Sequence, residues 1–176
     1  MPHFKYYGQK LFVEGLSVAD LAKKNKTPFY LYSEKQIKEN YLNLAQNFKS
    51  VSPLICFATK ANTNLSILKM LGKLGAGADV VSGGELLKAI KAGINPNKIV
   101  FSGVGKTEEE LKLAVKKKIL LINIESESEA KLIDKIGKKS NVNIPVGFRL
   151  NPDVDAKTHK KISTGKSENK FGISIK

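Results

Sequence analysis

The chain contains no tryptophan, one cysteine, two histidines and, among 30 basic lysine and arginine residues, a single arginine. Each shortage removes a class of explanation. With Cys56 alone, no intrachain disulfide can form and a cysteine-built metal centre is excluded. The place of Cys56 inside the apolar run Leu54-Ile55-Cys56-Phe57-Ala58 reads as small core filler. Arginine is the preferred reader of base edges and the bidentate binder of phosphate, so a chain with only Arg149 is poorly equipped for sequence-specific nucleic-acid recognition. The net charge of +14 is carried by lysines spread along the whole chain, and the longest run is Lys116-Lys117-Lys118. This describes diffuse attraction rather than a binding stripe. No apolar stretch approaches the roughly 20 residues of a membrane span, and Met1-Pro2-His3-Phe4-Lys5 lacks the apolar segment of a signal peptide. A cytoplasmic protein with no membrane or nucleic-acid partner is therefore expected.

What is present is a globular composition, 41% hydrophobic and 26% charged over 176 residues, enough for one sizeable core. Short apolar runs recur at residues 29–32, 54–59, 78–81, 98–101, 120–124 and 146–150, their starts about 20 to 26 residues apart. Between several of them lie helically spaced apolar positions: Leu65, Leu68, Leu71 and Leu74, then Leu86, Leu87 and Ile90, then Leu111, Leu113 and Val115, then Ala130, Ile133 and Ile136. The alternation predicts parallel strands with crossover helices, either a (β/α) barrel or an open doubly wound sheet. Thr107 before Glu108-Glu109-Glu110, and Ser126 before Glu127 and Glu129, read as N-caps with acidic first turns. Gly83-Gly84 marks a helix entry and Gly93 a helix exit. Residues 1–28 do not follow the βα period and read as a separate small β element. Five or six units are fewer than a closed eight-stranded barrel needs, and residues 171–176 fall where a further unit is expected. The sequence thus reads as part of a longer chain.

Three residues stand out against this frame. Lys60 sits where the apolar run ends in Phe57-Ala58-Thr59-Lys60-Ala61-Asn62, the seat of an amine partly desolvated at a strand mouth and able to attack an aldehyde. The competing reading is that any one lysine of this lysine-rich chain is simply solvated. Asp79 lies in Gly77-Ala78-Asp79-Val80-Val81 and Arg149 in Val146-Gly147-Phe148-Arg149-Leu150-Asn151. If the strands are parallel, all three lie toward C-terminal strand ends, where α/β barrels carry their chemistry. Alternatively, Asp79 and Arg149 form a structural ion pair. The segment 151–172 has neither helical nor strand period and reads as a binding loop containing His159, Ser163, Thr164 and Gly165. Residues 100–107, ending Gly103-Val104-Gly105-Lys106-Thr107, imitate a nucleotide-binding loop. Val100 stands where that motif needs glycine, so nucleotide wrapping is not expected.

With these residues the sequence resembles the fold-type III family of pyridoxal-phosphate enzymes, and within it the diaminopimelate decarboxylase branch. The likeness runs over essentially the whole chain. Residues 57–62 match the family's cofactor-lysine motif, and residues 64–85 its next helix and strand. Residues 99–107 and the segment from Asn151 through Thr158-His159, Ile162-Ser163-Thr164-Gly165 and Lys170-Phe171-Gly172 are typical of the diaminopimelate branch.

The resemblance implies a pyridoxal 5'-phosphate-binding (β/α)8 barrel, here incomplete over residues 29–176, with residues 1–28 belonging to a β-domain. It implies decarboxylation of meso-2,6-diaminopimelate to L-lysine and CO2, with Lys60 as the covalent seat of the cofactor. Asp79 and Arg149 would belong to the polar network around the cofactor, and His159, Ser163, Thr164 and Gly165 to the substrate side. The ring-stacking histidine, glycine-rich phosphate loop and substrate-binding arginine of the family fall beyond Lys176, so the 176 residues alone are expected to be inactive, and the full-length protein a homodimer. The alternatives are another amino-acid decarboxylase or racemase of the same fold type, a non-catalytic pyridoxal-phosphate carrier, or, from a different class, a basic nucleic-acid-binding α/β protein.

Overall fold

A computed structural model of the protein describes residues 3–154 and 172–174. The chain divides into two compact units, Met1–Pro53 and Leu54–Lys176.

The first unit opens with three short antiparallel strands, β1 (Phe4–Tyr7), β2 (Lys10–Val13) and β3 (Leu16–Ser17). Glu14 and Gly15, both at positive φ, make the two-residue reversal that pairs Val13 with Leu16, a turn geometry matched to strand twist. Ser17 caps α1 (Val18–Lys24) and Ser33 caps α2 (Glu34–Asn47), each accepting from the backbone three residues on. The Glu14 carboxylate accepts from Ser33 Oγ at 2.7 Å and from the Lys35 amide at 3.0 Å. It thereby ties the hairpin to the start of α2. Residues 29–32 form no strand, contrary to the expectation from their apolar character: Tyr30 is 90% exposed and stacks on Tyr32 at 6.5 Å. An apolar run becomes a strand only where a neighbour takes up its backbone groups, and the parallel sheet of this chain starts later, at Cys56.

The second unit alternates strand and helix: β4 (Cys56–Ala58), α3 (Leu65–Lys73), β5 (Gly77–Val80), α4 (Gly83–Lys91), β6 (Ile99–Phe101), α5 (Glu108–Lys117), β7 (Leu121–Ile124), α6 (Glu127–Ser140) and β8 (Val146–Phe148). The strands are parallel and their spatial order equals their order in sequence. Right-handed crossovers in one constant direction put every helix on the same side, and α3, α4, α5 and α6 accordingly pack in succession. The alternative of a doubly wound sheet, which needs a reversal of strand order, is set aside. The sheet is an arc of a (β/α) barrel.

Register then decides what each face carries. Ala78, Val80, Ile99, Phe101, Ile122 and Ile124 point to the helices and are buried with Leu68, Leu86, Leu111 and Ile133. Each such large side chain contributes about 1.5–3 kcal/mol. The intervening residues, among them Asp79, Asn123 and Gly147, face the concave side. Gly77 permits the close approach of β4, β5 and β6, because a Cβ there would collide with the Lys98 carbonyl oxygen. Two further short strands, β9 (Leu150–Asn151) and β10 (Ile173–Ser174), pair in parallel. Among the described residues, no helix is long and apolar enough to cross a membrane.

Candidate functional site

A cleft of about 700 Å³ opens at the C-terminal ends of the strands, lined by Lys60, Asp79, Val81, Ser102, Gly103, Val104, Asn123, Phe148 and Arg149. All three site residues singled out on the sequence and covered by the described residues meet there. His159, Ser163, Thr164 and Gly165 lie outside the described residues.

Lys60 owes its position to the residue before it. β4 ends in the single turn Thr59–Ala61, where Thr59 is fully buried. Its Oγ1 donates to the Glu85 carboxylate and lies 2.9 Å from the Asp79 carbonyl oxygen. With Thr59 anchored inward, Lys60 projects over the cleft and is exposed, rather than desolvated as its place after an apolar run suggested. Its ammonium makes no hydrogen bond or ion pair with a described residue.

Asp79 and Arg149 do not pair with each other. Asp79 Oδ1 accepts from Ser102 Oγ at 2.6 Å, and Asn123 Nδ2 donates to the same Ser102 oxygen at 3.0 Å. The ion pair with Arg149 offered as the alternative for Asp79 is thus replaced by a hydroxyl hydrogen bond. Arg149 instead meets Glu125, with Nη1 3.1 Å from Oε1. The Glu125 side chain, 2% exposed, also accepts from the Gly103 amide at 2.9 Å and the Gly172 amide at 3.3 Å. A buried carboxylate so surrounded is compensated, and it fixes the Arg149 guanidinium at the rim of the cleft.

Lys106, the lysine of the mimicked nucleotide loop, turns away from any ligand. Its side chain is 1% exposed and donates to the Gly103 and Asn123 carbonyl oxygens, at 2.6 and 2.7 Å, and to Glu129 at 2.7 Å. It also lies 5.7 Å from the centroid of the Phe101 ring. The N-terminus of α5 is similarly self-satisfied. Thr107 and Glu110 form a reciprocal capping box, and Glu110 accepts the Gly83 amide at 2.7 Å. That amide bond, with the Thr107 amide second, holds the Glu110 carboxyl below the usual carboxylate range. Beneath the cleft, burial pushes the Cys56 thiol up, and the charge of Asp79 pushes it the same way. Among the described residues no cluster of three or more metal-ligating side chains occurs.

Sequence reasoning missed Ser102, Asn123, Glu125 and Glu129. Their partners are set by strand register, but a signal was available for three of them: Ser102, Asn123 and Glu125 are polar residues within or just past strand runs that otherwise read as apolar, whereas Glu129 read only as an acid in the first turn of its helix.

The pyridoxal-binding domain of the pyridoxal-dependent decarboxylases matches residues 34–176. A diaminopimelate decarboxylase from Aquifex aeolicus is 47% identical over 175 residues, 99% of this chain and 41% of the relative. The crystal structure of diaminopimelate decarboxylase from M. jannaschii superposes with a TM-score of 0.89 at 41% identity, covering 98% of this chain and 41% of that one. The enzyme of the same name from Helicobacter pylori, solved in complex with L-lysine, gives a TM-score of 0.85 at 50% identity, covering 89% and 40%. The chain therefore spans about two fifths of the length of the relatives it matches.

Proposed function

The chain belongs to the pyridoxal-dependent decarboxylases through their pyridoxal-binding domain, and from that membership we propose that it forms the cofactor-holding part of a diaminopimelate decarboxylase. The reaction is decarboxylation of meso-2,6-diaminopimelate to L-lysine and CO2. The observation that carries the reading is the Lys60 amine, standing over a polar cleft at the C-terminal end of β4.

The residues fit pyridoxal 5'-phosphate by their chemistry. A primary amine supplies the nucleophile for its aldehyde, and about 700 Å³ lies within the range of cofactor and ligand sites. When bound, the cofactor supplies an electron-withdrawing ring that takes up the electron pair left by departing CO2. Lys60 would hold it covalently through that amine. Asp79, held as an acceptor by Ser102 Oγ, presents a carboxylate to the cleft that Lys60 also lines. Arg149, anchored through Glu125, places a fixed cation on the opposite rim. His159, Ser163, Thr164 and Gly165 border the substrate side on this reading. Residues 1–28 contribute to a β-domain, and the full-length protein works as a cytoplasmic homodimer.

The test is incubation with pyridoxal phosphate, borohydride reduction and peptide mapping, followed by CO2 release from meso-diaminopimelate by the full-length protein. A single adduct on Lys60 and a preference for diaminopimelate over lysine, ornithine and arginine are expected. Labelling scattered over many lysines would remove Lys60 as the seat. Faster turnover of another amino acid would move the protein to a different decarboxylase branch.

A further inference from the structure

Three consecutive strands carry one hydrogen-bond chain across the floor of the cleft: Asp79 in β5, Ser102 just past β6 and Asn123 in β7. The donors run in one direction. The Asn123 amide donates to the Ser102 oxygen, so the single Ser102 proton goes to Asp79 Oδ1, which must accept. The fourth strand makes the chain possible. Asn123 and Gly147 are register partners between β7 and β8, and a Cβ on Gly147 would lie 2.8 Å from Asn123 Oδ1. Only a residue without a side chain leaves the amide where it is. That close contact involves the end of a flexible side chain rather than backbone, so an added methyl displaces Asn123 while β8 keeps its place.

We infer that Ser102 and Asn123 are positioning residues for Asp79, with Gly147 as the clearance that lets them act. The chain holds the Asp79 carboxylate as an acceptor in the cleft that Lys60 also lines. This rests on the reading of Lys60 as the cofactor's seat. The titratable and charged groups around Asp79 are Lys60 and Cys56 from β4 and its turn, Glu85 reached through Thr59 from α4, and Arg149, itself paired to Glu125, from the end of β8.

The experiment compares Ser102→Ala, Ser102→Thr, Asn123→Ala and Gly147→Ala, each with and without Asp79→Asn, in the full-length protein loaded with pyridoxal phosphate. Two quantities are followed: the pH midpoint of the bound cofactor's absorption band, and kcat against KM. Asp79→Asn moves the midpoint down by on the order of one pH unit, since an adjacent carboxylate favours the protonated nitrogen. Ser102→Ala, Asn123→Ala and Gly147→Ala each move it part of the way, with kcat falling about tenfold and KM little changed. Ser102→Thr, which keeps the hydroxyl, restores both. In the Asp79→Asn background none of the three adds a further shift. A midpoint and kcat unmoved by Ser102→Ala, with only thermal stability lowered, would overturn the inference. So would shifts of equal size with and without the Asp79 carboxylate. Absence of any Lys60 adduct in the unsubstituted protein is a separate result, which overturns the parent reading and this one with it.

Discussion

Lys60 and Lys106 are the same residue type, each in a turn that follows a strand, and the fold uses them in opposite ways. Lys106 is buried against Glu129 and two carbonyl oxygens, so Lys106→Met leaves Glu129 buried without its cation. A loss of about 3–5 kcal/mol is expected, measured by urea unfolding. Lys60 is exposed over the cleft, so Lys60→Ala should change stability by no more than about 0.5 kcal/mol while abolishing the reducible cofactor adduct. Equal destabilisation by the two substitutions would show that the burial difference carries no energetic weight. The sequence distinguished Lys60 by its place after an apolar run and by its motif. It presented Lys106 as part of a false nucleotide loop and of a branch-typical segment but not as a buried residue, because a lysine becomes buried through contacts with β7 and α6 that are remote in sequence. The same limit hid Glu125. Its carboxylate gathers Gly103, Arg149 and Gly172, none of them a neighbour along the chain.

Helix starts are the elements whose chemistry was most legible, since a cap is written within four residues. Ser82, Thr107 and Ser126 each accept from the amide of a glutamate three positions on, Glu85, Glu110 and Glu129. What four residues could not reveal is that each glutamate side chain also reaches an earlier βα unit: Glu85 to Thr59, Glu110 to the Gly83 amide and Glu129 to Lys106. For Glu110 this has a pH signature. Its folded-state carboxyl is held low by the Gly83 and Thr107 amides, so its contribution to stability is fully present above the unfolded value near ~4.3. It is lost as pH falls through the folded value. Glu110→Gln should therefore lower Tm at neutral pH, with the gap to the unsubstituted protein closing below about pH 4. A gap independent of pH would mean that the carboxylate charge is not what joins α4 to α5. The second helix, α2, was not legible, and the reason is physical. It has no fully buried residue, so the stripe Ile37, Tyr41 and Ala45, spaced four apart and only half-buried, is too narrow and too interrupted by polar residues to stand out. The apolar run at 29–32 misled in the opposite sense, because hydrophobicity is a property of the residues whereas a strand is a property of the pair.

At the scale of the whole molecule, the dominant quantity is a net charge of +14, carried by lysines spread along the whole sequence. Several lysines are already answered by acids one helical turn away, as in Lys38–Glu34, Lys112–Glu108, Lys131–Glu127 and Lys138–Asp134, exposed pairs that add little to stability. The remaining positive charge repels itself, which weakens the compact state, and it attracts any polyanion through counterion release. Salt screens both effects within about 10 Å at 0.1 M. The charge should therefore respond with two opposite signs in one titration: Tm rises as sodium chloride is raised from low to physiological concentration, and binding to DNA or RNA falls steeply. A protein making several diffuse phosphate contacts loses roughly 10³- to 10⁵-fold in affinity between about 50 and 200 mM salt. Thermal melts and fluorescence anisotropy with a labelled oligonucleotide over the same salt series measure the two. If binding persisted at moderate salt and discriminated between sequences, the lysines would form a recognition surface, and the reading of this fold as a small-molecule site alone would have to be given up.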